Sequence, residues 1–196
     1  SWADAGHEVA FGQKIYKKIP AFHASEKPIR VVHGKVNIGV KGEDFDCLFS
    51  MLSGGLVSYR YAGKEMIEKI PMPNFWRAPV DNDNGSMAPA RYAQWKIASM
   101  YISHRNGGMF DNVPTKVEEK DNTVTVTYTY FMPTTPAGKC QVFYTVFGDG
   151  TIETKLMYDP VEGLPDMPEF GMMFWFNADY DNLTWYGMGP DETYAD

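Results

Sequence analysis

The sequence lacks three features that mark common classes of protein. Its 18 Lys and Arg residues are outnumbered by 25 Asp and Glu residues, so the formal net charge is −7 and there is no basic excess to attract a phosphate backbone. No apolar stretch approaches the roughly 18 residues that a membrane-spanning helix requires. Cysteine occurs only at Cys47 and Cys140, too few for a disulfide framework or a cysteine-rich metal motif. We therefore expect neither a nucleic-acid partner nor a membrane.

Sequence signatures of catalysis and cofactor binding are also missing. There is no glycine-rich phosphate loop, no GxSxG nucleophile motif and no Cys/His pairing pattern. The four histidines, His7, His23, His33 and His104, fall neither at metal-ligand spacing nor beside a recognisable nucleophile. We expect them at the surface or in satisfied polar positions, and we expect no catalytic residue, metal or cofactor in this chain.

Apolar side chains, by contrast, are abundant. Hydrophobic residues make up 44% of the sequence and aromatic residues 15%, enough for a large buried core, so a disordered chain is excluded. Cys47 and Cys140 lie among apolar residues and are expected to be buried free thiols. The first residues lack the basic-then-apolar order of a secretory signal, so we expect a soluble chain. The sequence fits a cytoplasmic and a periplasmic location equally well.

Apolar residues alternate with polar ones along most of the chain, as in antiparallel strands. The clearest strand surrounds Val124, Val126 and Tyr128, where threonines separate the apolar residues. Glycine-rich turns at 54–55 and 148–150 are typical of hairpins. Roughly nine to eleven strands with turn signals every eight to twelve residues predict an all-β antiparallel sandwich. One short helix is predicted at residues 88–100, with Pro89 near its start.

The first part of the chain differs in character from the rest. Residues 9–19 alternate weakly and carry three lysines, which suits an edge strand, and a proline-bounded polar segment follows. We therefore place residues 1–24 in a preceding domain or linker and residues 25–196 in one sandwich domain. The chain stops at ETYAD without a helix stop or polar tail, so we expect a fragment of a longer polypeptide.

The most unusual stretch is FWRAPVDNDNG, residues 75–85. Its polar members are Arg77, Asp81, Asn82, Asp83 and Asn84. Arginine and short oxygen-bearing side chains can hold sugar hydroxyls, so these five are candidate substrate-binding residues. The same residue types also build rigid corners, in which Arg77 would pair with Asp81 or Asp83 and Pro79 would fix the backbone. Both interpretations remain open at this stage.

Two other carboxylate-bearing features have simpler interpretations. DNDNG resembles the start of a calcium-binding EF-hand, but Tyr92 occupies the twelfth loop position, where a bidentate glutamate is required. Asp191 and Glu192 are neighbours at the tip of a glycine- and proline-rich bend, whereas paired catalytic carboxylates must flank a bond from opposite sides. We expect a solvated turn there.

Aromatic residues concentrate near the end of the chain. They are Phe170, Phe174, Trp175, Phe176, Trp185 and Tyr186. Rings of this kind can stack on sugars, but on strands they more often pack in the core, which is the interpretation we favour.

Two motifs together resemble one family. FWRAPVDNDNG is similar to the Phe-x-Arg-Ala-Pro-x-Asp-Asn-Asp run of the C-terminal small-chain domain of glycoside hydrolase family 2 β-galactosidases, where a short helix with a tryptophan follows, here Trp95. WYGMGPDETYAD resembles the Gly-x-Gly-Pro-x-Glu-x-Tyr-x-Asp segment of the same domain. SWADAGHEVAFGQ resembles the end of the immunoglobulin-like domain that precedes it, so the resemblance covers nearly the whole chain.

The resemblance implies a fold and a role. The fold would be a supersandwich of the galactose-mutarotase type, and the substrates would be lactose and other terminal β-galactosides. The two catalytic glutamates of the family lie on a (β/α)₈ barrel elsewhere in the polypeptide, so this chain alone would be inactive and would pack against that barrel, shaping the active-site mouth. The full enzyme would use Mg²⁺ or Na⁺. Exposed sheet edges would favour a homo-oligomer.

Two other functions stay in view. An independent carbohydrate-binding module would use Trp175, Trp185 or Tyr186 as a stacking platform. A mutarotase-like epimerase would need a histidine and a glutamate that converge in the sandwich, and the sequence identifies no partner for His33 or His104.

Overall fold

The computed structural model describes residues 27–105 and 115–184. The strand predicted at 9–19, the boundary near residue 25 and the WYGMGPDETYAD segment lie outside these residues. The structural predictions for these segments therefore remain predictions.

Two antiparallel sheets form the body of the fold. The first has five strands in sequence order: β1 (Arg30–His33), β2 (Asn37–Lys41), β3 (Phe45–Ser50), β4 (Gly55–Tyr61) and β5 (Lys64–Glu65). The second has four: β7 (Lys116–Lys120), β8 (Thr123–Met132), β9 (Gly138–Phe147) and β10 (Ile152–Tyr158). The predicted hairpins are confirmed at Gly54, which has φ 73°, and at Gly150, with φ 90°, since glycine tolerates this left-handed backbone.

The core lies between these two sheets because each strand directs alternate side chains inward. On β8, Val124, Val126 and Tyr128 are all buried, as the threonine alternation predicts. Phe49 of the first sheet packs against Tyr144 of the second at 5.7 Å between ring centroids. The fold class predicted from sequence, an all-β sandwich, is therefore confirmed.

Buried tyrosines join the two sheets by hydrogen bonds as well as by packing. Tyr130 donates its hydroxyl to the carbonyl of Gly54, and Tyr128 donates to the carbonyl of Gly55 at 3.4 Å. Burial raises the pKa of both phenols, so they stay neutral donors. The turn that ends β3 is thereby tied to the opposite sheet.

A small third sheet carries the unusual motif. It consists of β6 (Lys69–Asn74) and β11 (Gly171–Trp175), which pair antiparallel with an irregularity between Met173 and Trp175. Phe75, the first residue of FWRAPVDNDNG, follows directly after β6. The loop is thus held at the end of a short sheet at one side of the sandwich.

Three short helices follow β6, where the sequence predicted one. They are α1 (Asp81–Gly85), α2 (Ala88–Arg91) and α3 (Ala93–Tyr101). The helix predicted at 88–100 is interrupted at Tyr92, whose φ and ψ of −103° and 11° are not helical. On α3, Trp95 and Ala98 face the core at a spacing of three residues, and the indole of Trp95 donates to the carbonyl of Pro165 at 2.9 Å.

Two further predictions concern membranes and thiols. Within residues 27–105 and 115–184, none of the helices has the length and apolar character needed to span a bilayer. Cys47 and Cys140 are free and buried, as predicted. Burial raises the pKa of the Cys140 thiol to about 12, so it is protonated and unreactive near neutral pH.

Candidate functional site

The FWRAPVDNDNG loop is anchored in the core by its first residue. Phe75 is fully buried and packs against Trp95 at 5.9 Å and Tyr158 at 6.4 Å between ring centroids. Its backbone N–H donates to the hydroxyl of Ser99 on α3 at 2.8 Å. These contacts fix where the loop leaves the sheet, because a buried aromatic ring leaves little freedom to shift.

An ion pair closes the loop. Arg77 donates from Nη1 to Asp83 Oδ2 at 2.6 Å and from Nη2 to Oδ1 at 3.2 Å, which is the bidentate geometry of arginine and carboxylate. The backbone N–H of Val80 also donates to Asp83 Oδ2, at 3.0 Å. The hydrogen bonds from Arg77 and Val80 hold the pKa of Asp83 below its usual range. The pairing with Asp83 that the sequence suggested is observed, and we call Arg77 and Asp83 the clamp.

The other three candidate residues are placed differently from the clamp. Asp81, Asn82 and Asn84 lie on α1 and are exposed. Their side chains make no hydrogen bond with the residues that the structure describes, while the backbone of this turn is satisfied by bonds such as Asn84 N–H to the Val80 carbonyl at 3.0 Å. Their oxygen atoms are therefore available to a ligand, and substrate binding by all five loop residues stays a prediction.

A small hollow lies beside the clamp and opens to solvent. Rigid rings form its walls: Trp76, Tyr92 and the three prolines Pro79, Pro89 and Pro168. Among the described residues that line it, the charged ones are Arg77 and Asp83, which pair with each other. We call this hollow the socket; its chemistry suits a small apolar group.

A groove that also includes Trp76 in its lining lies between β6, α3 and β11. Its lining includes Trp76, Trp175, Met72, Met100 and Met173. Lys96 also lines it, and the Nζ atom of Lys69 sits 5.7 Å from the centre of the Trp175 ring. Sequence reasoning missed the role of Trp76 and the methionines as lining residues, although Trp76 lies within the motif itself.

The prediction that the late aromatics pack in the core is wrong for three of them. Phe170, Phe174 and Phe176 are 52%, 39% and 56% exposed. Strand β11 pairs only with β6 among the described residues; Phe174 lies on this strand, and Phe170 and Phe176 flank it. Trp175 is partly buried, whereas Trp185 and Tyr186 lie outside the described residues.

The structure gives His33 the partner that the sequence did not identify. His33 Nε2 lies 2.7 Å from Glu119 Oε1, linking β1 to β7, and both side chains are about half exposed. His104 is partly buried, and its Nε2 atom has no hydrogen-bond partner among residues 27–105 and 115–184, so the expected satisfied position is not observed for this nitrogen. Burial lowers the pKa of His104, with Arg105 adding to the effect and a bond to the Leu52 backbone opposing it.

The described part of the chain offers little to a metal ion. No group of three or more His, Cys, Asp or Glu residues within it is placed to hold one. In the DNDNG turn both oxygens of Asp83 are already bonded to Arg77 and Val80. The turn therefore does not fit a cation in this conformation.

The fold and the loop together define a class of protein. It is an antiparallel sandwich domain in which an aromatic loop, closed by the Arg77–Asp83 ion pair, lies at one side. Comparison with known proteins gives the family. The family model for the β-galactosidase small chain matches residues 41–196, and this chain belongs to that family.

Individual relatives can be aligned with all or most of this chain. A β-galactosidase of Clostridium acetobutylicum is 42% identical over 197 residues, covering 100% of this chain and 21% of that protein. A β-galactosidase of Halalkalibacterium halodurans is 44% identical, with 100% and 19% covered. A protein of Latilactobacillus sakei named β-galactosidase small subunit is 34% identical over 88% of this chain and 58% of its own length. The chain thus spans about a fifth of the first two relatives.

Proposed function

We propose that this chain is the non-catalytic β-sandwich part of a retaining β-galactosidase that hydrolyses terminal β-D-galactosides such as lactose. The two catalytic glutamates lie elsewhere in the enzyme, and this part shapes the mouth of the active site. The observation that carries the proposal is similarity over the whole chain to β-galactosidases of which it spans only about a fifth.

Two carboxylates among the described residues are unsuited to act as a general acid. The general acid of a glycosidase needs a raised pKa, but hydrogen bonds from Lys27 and Arg77 lower the pKa of Glu43 and Asp83 respectively. Burial raises the pKa of Tyr59 and Cys140 to about 12, so neither is an activated nucleophile near neutral pH.

Within this proposal the loop has a divided role. The clamp of Arg77 and Asp83 fixes its shape, since both partners already bond to each other. Asp81, Asn82 and Asn84 keep exposed oxygens that can accept hydrogen bonds from sugar hydroxyls. The loop is therefore a structural corner that presents polar groups near the substrate.

A chimera tests the proposal. This chain replaces the matched segment of the C. acetobutylicum β-galactosidase, and hydrolysis of o-nitrophenyl β-D-galactoside is compared with the parent enzyme and with a variant that lacks the segment. We expect the chimera to keep kcat/KM within about tenfold of the parent and the deletion to abolish it. A folded but inactive chimera, or hydrolysis by the 196-residue chain alone at enzyme-like rates, overturns the proposal.

A second candidate, an independent carbohydrate-binding module, is favoured by one observation: Trp76 and Trp175 line the same groove. Tryptophan rings are the usual platforms for sugar rings. Titration of this chain with galactose and lactose, followed by tryptophan fluorescence, decides it. Saturable binding that disappears in Trp175→Ala supports the module, and no binding rejects it.

A further inference from the structure

We propose that the socket and the groove form one docking face for an apolar, carboxylate-bearing segment of the catalytic part of the same β-galactosidase. The inference rests on the proposed function and adds which surface makes the contact. Trp76 lines both hollows, so they adjoin each other at this residue.

The socket has the properties of an interface anchor site. Its walls are rings and prolines, which lose little conformational freedom when a partner side chain enters. Tryptophan, tyrosine and arginine are the residues that dominate binding energy at protein interfaces, and Trp76, Tyr92 and Arg77 meet here. The clamp leaves no carboxylate of the socket unpaired, so an apolar side chain such as proline or leucine can enter without stranding a charge.

The groove extends this anchor site as an adaptable apolar surface. Met100 is 61% exposed and Met173 is 44% exposed, and both line the groove beside Trp175. Methionine side chains adjust to irregular partners and are used at binding surfaces. A contiguous apolar surface of this kind marks an interaction site more often than a solvent-facing wall.

The cations at the docking face indicate which charged groups its partner carries. The whole chain has a net charge of −7, yet Lys96 lines the groove, Lys69 lies over Trp175 and Arg91 lies over Tyr92 at 5.1 Å. None of these three cations forms an ion pair with another described residue. A partner with carboxylates beside its apolar groups complements them, which fixes orientation and speeds association.

The same charges argue against a second copy of this chain as the occupant. A two-fold dimer brings identical patches together, so the cations would face one another. The catalytic part of the enzyme is the better candidate, because most of each full-length relative lies outside the segment matched here.

Cysteine labelling in the chimera tests the docking face. Met100→Cys reports on the groove, and Met157→Cys on β10, with a parent side chain 43% exposed, is the matched control. The unsubstituted chimera corrects for background thiols, including the buried Cys47 and Cys140. In the 196-residue chain, both introduced cysteines should react readily with a maleimide. In the chimera, we expect position 100 to react at least about tenfold more slowly and Lys96→Glu to restore part of its reactivity.

The outcomes separate this inference from the proposed function. An active chimera in which position 100 reacts as fast as in the isolated chain overturns the docking face and leaves the proposed function standing. An inactive, folded chimera overturns both. In the isolated chain, labelling of position 100 could slow as the protein concentration rises. That result would identify a second copy as the occupant and would also overturn the inference.

Discussion

At the scale of single residues, some polar side chains of FWRAPVDNDNG fix the shape of the loop and others remain free to bind a ligand. Asp83 is the third residue of α1 and reaches back to the N–H of Val80, as acidic residues do in capping boxes, while also binding Arg77. The side chains of Asn82 and Asn84, in the same turn, make no hydrogen bond with the residues that the structure describes. Position within the helical turn therefore decides which of these chemically similar residues is structural.

The clamp predicts a pH dependence of stability. Because the folded state lowers the pKa of Asp83, the stabilisation is complete above the unfolded pKa of about 3.9 and is lost as the pH falls through the folded value. We expect Asp83→Asn to lower the urea midpoint at about pH 7, and the difference from the parent chain to shrink towards about pH 3. The exposed neighbour Asp81→Asn serves as control and should change little. An equal difference at both pH values would contradict this explanation.

At the scale of elements, turns and edges determine what the sandwich exposes. The turn between β3 and β4 holds Gly54 at φ 73° beside the ring of His104, whereas the turn between β4 and β5 holds Gly63 at φ 78° with open space around it. The two glycines share a backbone conformation but differ in surroundings. They therefore separate backbone strain from steric crowding.

This pair gives the second prediction. Gly63→Ala should cost about 1 kcal/mol, the strain of a left-handed alanine. Gly54→Ala should cost a further 1–3 kcal/mol or so, because the added methyl group would overlap the His104 ring. Urea unfolding of both variants measures the difference. Equal losses would show that His104 moves aside without cost.

Strand β11 is the element whose surroundings the sequence did not reveal. Its aromatic composition is typical of a core strand, and the rings were expected inside. Within residues 27–105 and 115–184 it has β6 as its sole strand neighbour, so Phe174 and Phe176 stack on each other at 6.2 Å instead of against a second sheet. Composition reports that a ring is apolar; it does not report whether another strand covers it.

At the scale of the whole molecule, two sheets must hold together around one core. Tyr130 donates across the core to Gly54, and Tyr128 donates to Gly55 at the longer distance of 3.4 Å. Both phenols are almost fully buried, so both hydrogen bonds are shielded from water. The shorter contact should contribute more to cohesion.

The third prediction follows from this contrast. Tyr130→Phe should lower the free energy of unfolding by about 1–3 kcal/mol, because the buried carbonyl of Gly54 loses its donor. Tyr128→Phe, with the same change in size, should cost less than about 1 kcal/mol, since its bond is near the limit of useful length. Chemical denaturation compares the two variants. A larger loss for Tyr128→Phe would show that packing, rather than the hydrogen bond, dominates.

The sequence by itself determined the class of fold, the turns and the family. Alternation along β8 and glycine at hairpin positions are local signals, because side-chain direction in a strand and left-handed backbone depend only on nearby residues. The paired motifs of residues 75–85 and 185–196 likewise pointed to the β-galactosidase small chain, to which the chain belongs. The choice between Asp81 and Asp83 as partner of Arg77 stayed open.

Only the tertiary structure decided which residues meet across long separations. It placed Trp76 between a socket and a groove whose walls come from β6, the helices and β11, and it paired His33 with Glu119 across 86 positions of sequence. The break in the helix at Tyr92 and the exposure of Phe174 also depend on tertiary packing. How elements pack and which strand edges stay uncovered are not encoded in any local pattern of residue types.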